Sequence, residues 1–142
     1  MKQKVSYVLI ISIVKNLEVS IRKHHYILDP GFYLYIGSAR IKRPYLRVLR
    51  HKVKVKKIKW HIDYITSKDY TKCVGIICYG MNEDELYDML NSLSSVKPII
   101  KGFGTSDRRN HISHLFKLKS LAYINDILKR LFISCDSVEM VM

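Results

Sequence analysis

The chain has 142 residues, 48% of them hydrophobic and 26% charged, which suits one folded domain and excludes both a disordered chain and a membrane bundle. Its 25 Lys and Arg against 12 Asp and Glu leave a formal charge of +13, so a polyanion is the simplest partner, with nucleic acid ahead of anionic lipid. The three cysteines, Cys73, Cys78 and Cys135, form no CxxC pair and leave an odd count, which argues against a disulfide framework or a cysteine zinc site and predicts reduced thiols in an intracellular, cytoplasmic protein.

Lys2 and Lys4 precede an apolar run from Tyr7 to Val14 in imitation of a secretory signal. No small-residue cleavage site follows, and the run falls short of the roughly 20 residues a bilayer requires. A buried strand over residues 5 to 14 is expected instead. A second strand runs from Phe32 to Ile36 after the Asp29-Pro30-Gly31 turn, with another extended piece between Val19 and Leu28. Pro44 suits the first turn of a helix that runs to about Val53 and places Leu46, Leu49 and Val53 at core-facing spacing. Residues Trp60 to Ile65 read as a short helix or an extended segment, and Cys73 to Tyr79 as a strand.

Asn82 followed by Glu83, Asp84 and Glu85 marks the start of a helix through Leu86, Met89, Leu90 and Leu93, because acids favour the positive end of the helix dipole. A Gly102-Phe103-Gly104 loop, a strand from His114 to Leu118 and an amphipathic helix from Leu121 to Phe132 complete the chain. Residues 1–142 are therefore expected to form one α+β domain, a small mixed or antiparallel central sheet flanked by helices, with 121–142 as a C-terminal helix and tail.

Residues 40 to 59 hold ten cations and no acid, namely Arg40, Lys42, Arg43, Arg47, Arg50, Lys52, Lys54, Lys56, Lys57 and Lys59. Such a block repels itself unless an anion lies on it. Arg47 and His51 stand four apart and so share a helix face, where a guanidinium can grip a phosphate while an imidazole holds or moves a proton. Upstream, Tyr35-Ile36-Gly37-Ser38-Ala39 ends a strand with a glycine that allows close backbone approach to a ligand. His61 and Asp63 are two apart and on a strand would share a face, either supporting a site or forming a buried polar pair tied to the Gly102 to His114 loop. His111 and His114 near Asp107 permit zinc on paper, without cysteines to strengthen the signal.

Together Tyr7-Val8-Leu9, Tyr35-Ile36-Gly37-Ser38-Ala39, and Arg47 with His51 resemble the signature of GIY-YIG nucleases. Lys59-Trp60-His61-Ile62-Asp63-Tyr64, Gly102-Phe103-Gly104-Thr105-Ser106-Asp107 and Ser113-His114-Leu115-Phe116 are similar to a subgroup of short archaeal and bacterial GIY-YIG-like proteins, some fused to endonuclease III. The chain departs from the pattern in lacking the leading glycine before Tyr7 and in carrying Arg108, Arg109 and Asn110 where the subgroup has cysteines.

The resemblance implies a GIY-YIG-like sheet and a metal-dependent endonuclease that hydrolyses DNA phosphodiesters with structure-guided or low sequence specificity, in repair or recombination. Tyr7 and Tyr35 match the motif tyrosines, Arg47 the arginine and His51 the histidine. Glu83, or alternatively Glu85, matches the glutamate that holds Mg²⁺ or Mn²⁺, with Gly37, Ser38, His61 and Asp63 in support. Nucleic acid, DNA favoured over RNA, would lie on Arg40, Lys42, Arg43, Arg50, Lys54, Lys56, Lys57, Lys59, Arg108 and Arg109. A membrane partner is not expected, a DNA-repair protein partner is, and the chain would act as a monomer or homodimer. A module of the same fold that binds nucleic acid with little or no turnover is the alternative.

Overall fold

The computed structural model describes residues 3–21, 23–105 and 110–142. Arg108 and Arg109, with the neighbouring Ser106 and Asp107, lie outside the described residues.

The first strand, β1 (Val5–Ile13), alternates its side chains between two apolar layers, so it runs through the middle of the molecule. It pairs antiparallel with β4 (Gly31–Ser38) on one side and with β5 (Thr71–Tyr79) on the other. Between β1 and β4 the chain forms a separate hairpin, β2 (Leu17–Ile21) and β3 (His24–Leu28), which caps one end of the core with Leu17, Val19 and Leu28. Three further strands, β6 (Val96–Pro98), β7 (Leu115–Leu118) and β8 (Ser137–Val141), complete a six-stranded sheet of order β6-β7-β4-β1-β5-β8. Every pairing is antiparallel. The expected C-terminal tail is thus partly an edge strand. Its short alternating sequence, Ser-Val-Glu-Met-Val, became a strand only because β5 offers an open edge.

Helices cover both faces, and the fold is α+β. On one face Val5, Tyr7, Leu9 and Ile11 of β1 meet Tyr33 and Tyr35 of β4, beneath α1 (Pro44–Lys52), α2 (Asp63–Thr66) and Phe103. On the other, Val8, Leu34, Ile36 and Ile76 meet α3 (Glu83–Asn91), with Leu86 and Leu90, and α4 (Ile124–Ser134), with Ile127 and Leu131. The Asn82 start of α3 is a complete capping box, its side chain taking the Glu85 N–H while the Glu85 carboxylate takes the Asn82 N–H. Trp60 to Ile65 resolves as a turn leading into α2, so His61 and Asp63 do not share a strand face.

The fold overturns two expectations drawn from the sequence. Leu46, Leu49 and Val53 do not face the core; they are exposed, and the buried side of α1 carries Val48 and His51. Val48 rests on β5 at Gly75, where any Cβ would occupy its space. That contact and a polar bond from His51 turn the helix away from its own apolar stripe. Secondly, Cys78 and Cys135 are not reduced thiols but form a disulfide between β5 and the end of α4, with Cα atoms 5.6 Å apart, and Cys73 alone is free. An odd count without CxxC spacing leaves room for a pair formed by tertiary approach across 57 residues. Among the described residues no helix is long and apolar enough to cross a membrane.

Candidate active site

Tyr7 projects from β1 and Tyr35 from β4 onto the same face, their rings 6.3 Å apart. Both open into a cavity of about 380 Å³, which Arg47 of α1, Glu83 of α3, Lys59, Trp60, His61 and His114 also line, with Gly37, Ser38 and Gly104. Tyr7, Tyr35, Arg47 and Glu83, four of the residues expected from the sequence to act together, therefore converge from four separate elements. Gly37 lies directly across the ladder from Tyr7, and a Cβ there would collide with the phenol.

His51 does not line the cavity. It is fully buried behind Tyr7, with Nε2 2.9 Å from the phenol oxygen, and among the described residues its Nδ1 has no hydrogen-bond partner. Burial, reinforced by the Lys56 ammonium, pushes its pKa down to about 4, so His51 is neutral at physiological pH. The Tyr7 phenol moves in the opposite direction from the one the surrounding cations suggest. Burial raises its pKa well above the usual 10.0, Tyr35 and Glu83 add to the rise, and Arg47 offsets only part of it. Desolvation of the phenolate outweighs the cation field because the phenol is 3% exposed.

A stability prediction follows from His51. The unfolded chain takes up a proton near pH 6.5, whereas the folded one resists until about pH 4, so the unfolded state binds more protons in that window and stability falls as pH drops through it. The full effect is about 3 kcal/mol. Denaturation curves at pH 7 and pH 5 should show a loss in the wild type that His51→Gln largely lacks; identical pH profiles would refute the assignment.

Arg47 donates from Nη1 to the Ser38 carbonyl at 3.3 Å and stands with its guanidinium carbon 5.5 Å from the centre of the Trp60 ring, which fixes the fork at the cavity wall. Glu83, the first residue of α3, reaches the cavity; its Oε1 lies 3.4 Å from His114 Nδ1. Behind it, His114 Nε2 and His111 Nδ1 share a hydrogen bond of 2.7 Å, and His111 Nε2 lies 3.3 Å from Asp84. The two histidines thus spend on each other nitrogens that zinc would take. Glu85, the other candidate, points elsewhere, holding Lys4 at 3.1 Å and the Asn82 N–H. His114 was missed as a cavity residue, although its spacing from His111 was visible.

His61 Nδ1 accepts from the Gly104 N–H at 2.9 Å, so it does tie the Gly102 to His114 loop to the site. Gly104 has φ +69 and lies against Tyr35, a position that favours glycine. Among the described residues Asp63 finds its partners outside that loop. Its buried carboxylate receives both ends of Arg50, at 2.7 and 2.9 Å, and the N–H groups of Lys59 and Trp60. Burial alone would raise its pKa, but these donors hold it down at about 2.

The cationic block is therefore divided. Arg50 is committed to Asp63, Lys54 Nζ to the carbonyls of Thr66, Lys68 and Thr71, and Lys56 Nζ to the carbonyls of Arg50 and His51 and to Thr66 Oγ1. These three staple the polar loop after α1. Arg40, Lys42, Arg43, Lys57 and Lys59 remain exposed.

Among the described residues no group of three or more His, Cys, Asp and Glu gathers around a point. A metal ion here would rest on the Glu83 carboxylate and otherwise on water and ligand oxygens. That donor set fits Mg²⁺, which keeps several waters, and not zinc.

Among the described residues the cavity gathers two phenols, a guanidinium, an ammonium, two imidazoles and one carboxylate. The sequence matches the family described as Domain of unknown function DUF123 over residues 6–136, and the chain belongs to that family. No curated protein and no solved structure matches it.

Proposed function

We propose that this protein is a metal-dependent endonuclease of the GIY-YIG type that hydrolyses phosphodiester bonds of DNA, guided by structure or with low sequence specificity, in repair or recombination. The observation that carries this reading is the convergence of Tyr7, Tyr35, Arg47 and Glu83 on one cavity. Arg47 grips the scissile phosphate and Lys59 adds charge at the rim. Glu83 holds Mg²⁺ or Mn²⁺, which when bound supplies Lewis acidity toward the phosphate and makes water more acidic. Tyr7, kept neutral by burial and backed by His51, orients the attacking water by hydrogen bonding and does not act as a phenolate. The water oxygen forms the new bond to phosphorus and releases a proton to solvent, the bond to the leaving ester oxygen breaks, and that oxygen takes up a proton from solvent, so that the net change is the addition of one water.

The working form is a monomer or homodimer, DNA is preferred to RNA, and a DNA-repair protein is the expected partner. A cytoplasmic location follows from that substrate. The Cys78–Cys135 bridge is of a kind found in oxidising compartments and in the cytosol of hyperthermophiles.

A second reading is a binding module without turnover, and the high pKa of Tyr7 favours it, because such a phenol is no base at neutral pH. Purified protein with Mg²⁺ or Mn²⁺ and branched, nicked, single-stranded and duplex DNA separates the two. Products that vanish with EDTA support the nuclease. Binding that survives EDTA, with no product from any substrate, supports the module. In the nuclease reading, Gly37→Ala should lower turnover about 100-fold, because its methyl displaces the Tyr7 phenol, while substrate binding changes little. Unchanged turnover would remove Tyr7 from the reaction.

A further inference from the structure

We propose that a second cleft beside the active site, walled by Arg40, Lys42, Ile41 and Tyr79, holds the nucleotide adjacent to the one cleaved, so that a single strand runs along β1 from Tyr7 toward Val5. The inference deepens the phosphodiester reading and rests on it. The cleft has a volume of about 460 Å³, and Val5 forms part of its wall as Tyr7 does of the cavity. Val5 and Tyr7 are two residues apart on one strand and so face the same side, about 7 Å from one another. The two depressions also share the segment after β4, where Ser38 belongs to the cavity and Arg40 to the cleft, and Ala39 between them is pinned by its N–H to the Val5 carbonyl at 3.1 Å. A chain leaving one depression along this segment enters the other.

The chemistry of the lining names the occupant. Arg40 and Lys42 are exposed, and among the described residues neither meets a carboxylate at ion-pair distance, unlike Arg50. They offer a phosphate site. The Tyr79 ring and Ile41 offer an apolar wall of the kind on which a base rests. Glu139, from β8, is the neighbouring acid; it accepts from the Tyr79 hydroxyl at 3.0 Å and so sets the angle of the ring. Cation and aromatic side by side suit a nucleotide, whereas inorganic phosphate would use only the cations. Because an unpaired base is required, the strand in this cleft is single.

Binding of oligothymidylates of two to eight nucleotides, measured by fluorescence anisotropy in EDTA so that nothing is cut, tests the proposal. Wild-type affinity should step upward once the strand is long enough to reach both depressions. In Arg40→Ala/Lys42→Ala the step should shrink about tenfold and the slope of log affinity against log salt should fall by about 0.7, the share of one phosphate on a single strand. Tyr79→Ala should lose about tenfold without changing that slope. If the charge double variant binds every length as the wild type does, the second cleft is refuted while the nuclease reading stands. If the wild type binds no strand at all, the second cleft is likewise refuted, and the nuclease reading is decided separately by cleavage of duplex or branched DNA in Mg²⁺.

Discussion

Arg47→Ala should slow cleavage of any DNA substrate by about 10²- to 10³-fold, the usual cost of removing a single preorganised donor from a developing phosphoryl charge. Arg47 is held by the Ser38 carbonyl and by the Trp60 ring, so its fork does not need to reorganise when a phosphate arrives. Glu83→Gln keeps the shape of the wall and removes the one carboxylate that lines the cavity among the described residues. It should lose activity to a similar degree, and raising Mn²⁺ should restore only a small part of it. Both variants should melt within a few degrees of the wild type, because neither residue is buried in the apolar layers. Quantifying products from single-turnover assays with matched thermal denaturation checks this. Full activity in either variant would dismantle the catalytic assignment, whatever the binding data show.

Arg50→Ala should destabilise the fold by about 3 to 5 kcal/mol, although Arg50 sits in the middle of what looks like a nucleic-acid-binding stretch. The physical reason is Asp63, whose carboxylate is 0% exposed and would be left as a buried charge with only two backbone N–H groups to hold it. The cost appears in chemical denaturation, and for a chain of this size in a melting temperature lower by about 10 °C. Lys42→Ala, an exposed cation without such a partner, should change stability by no more than about 0.5 kcal/mol. Equal behaviour of the two variants would contradict the division of the cationic block. Acid weakens the same pair. Asp63 has a folded pKa lowered from 3.8 to about 2, so its contribution is complete above pH 3.8 and lost as pH falls through about 2.

The sequence by itself determined the elements whose signals are local. Apolar runs rich in β-branched and aromatic residues marked β1 and β5, Pro44 marked the start of α1, and Asn82 with three acids marked α3, because each reflects a short-range preference of the backbone. It also indicated Tyr7, Tyr35, Arg47 and Glu83, through a resemblance to a nuclease motif that can be read along the linear chain, and all four line one cavity.

What only the tertiary structure decided were matters of partnership. The face α1 presents was set by Val48 seating on Gly75 and by the bond between His51 and Tyr7 rather than by its own leucines, because those contacts come from strands distant in sequence. Whether a lysine meets an outside phosphate or an inside carbonyl depends on which backbone oxygens the fold leaves unpaired, and that divided Arg50, Lys54 and Lys56 from Arg40 and Lys42. The joining of Cys78 to Cys135 and the pairing of β8 with β5 likewise required groups distant in sequence to be brought together. A composition carries the number of such groups, and only the packed chain fixes which of them meet.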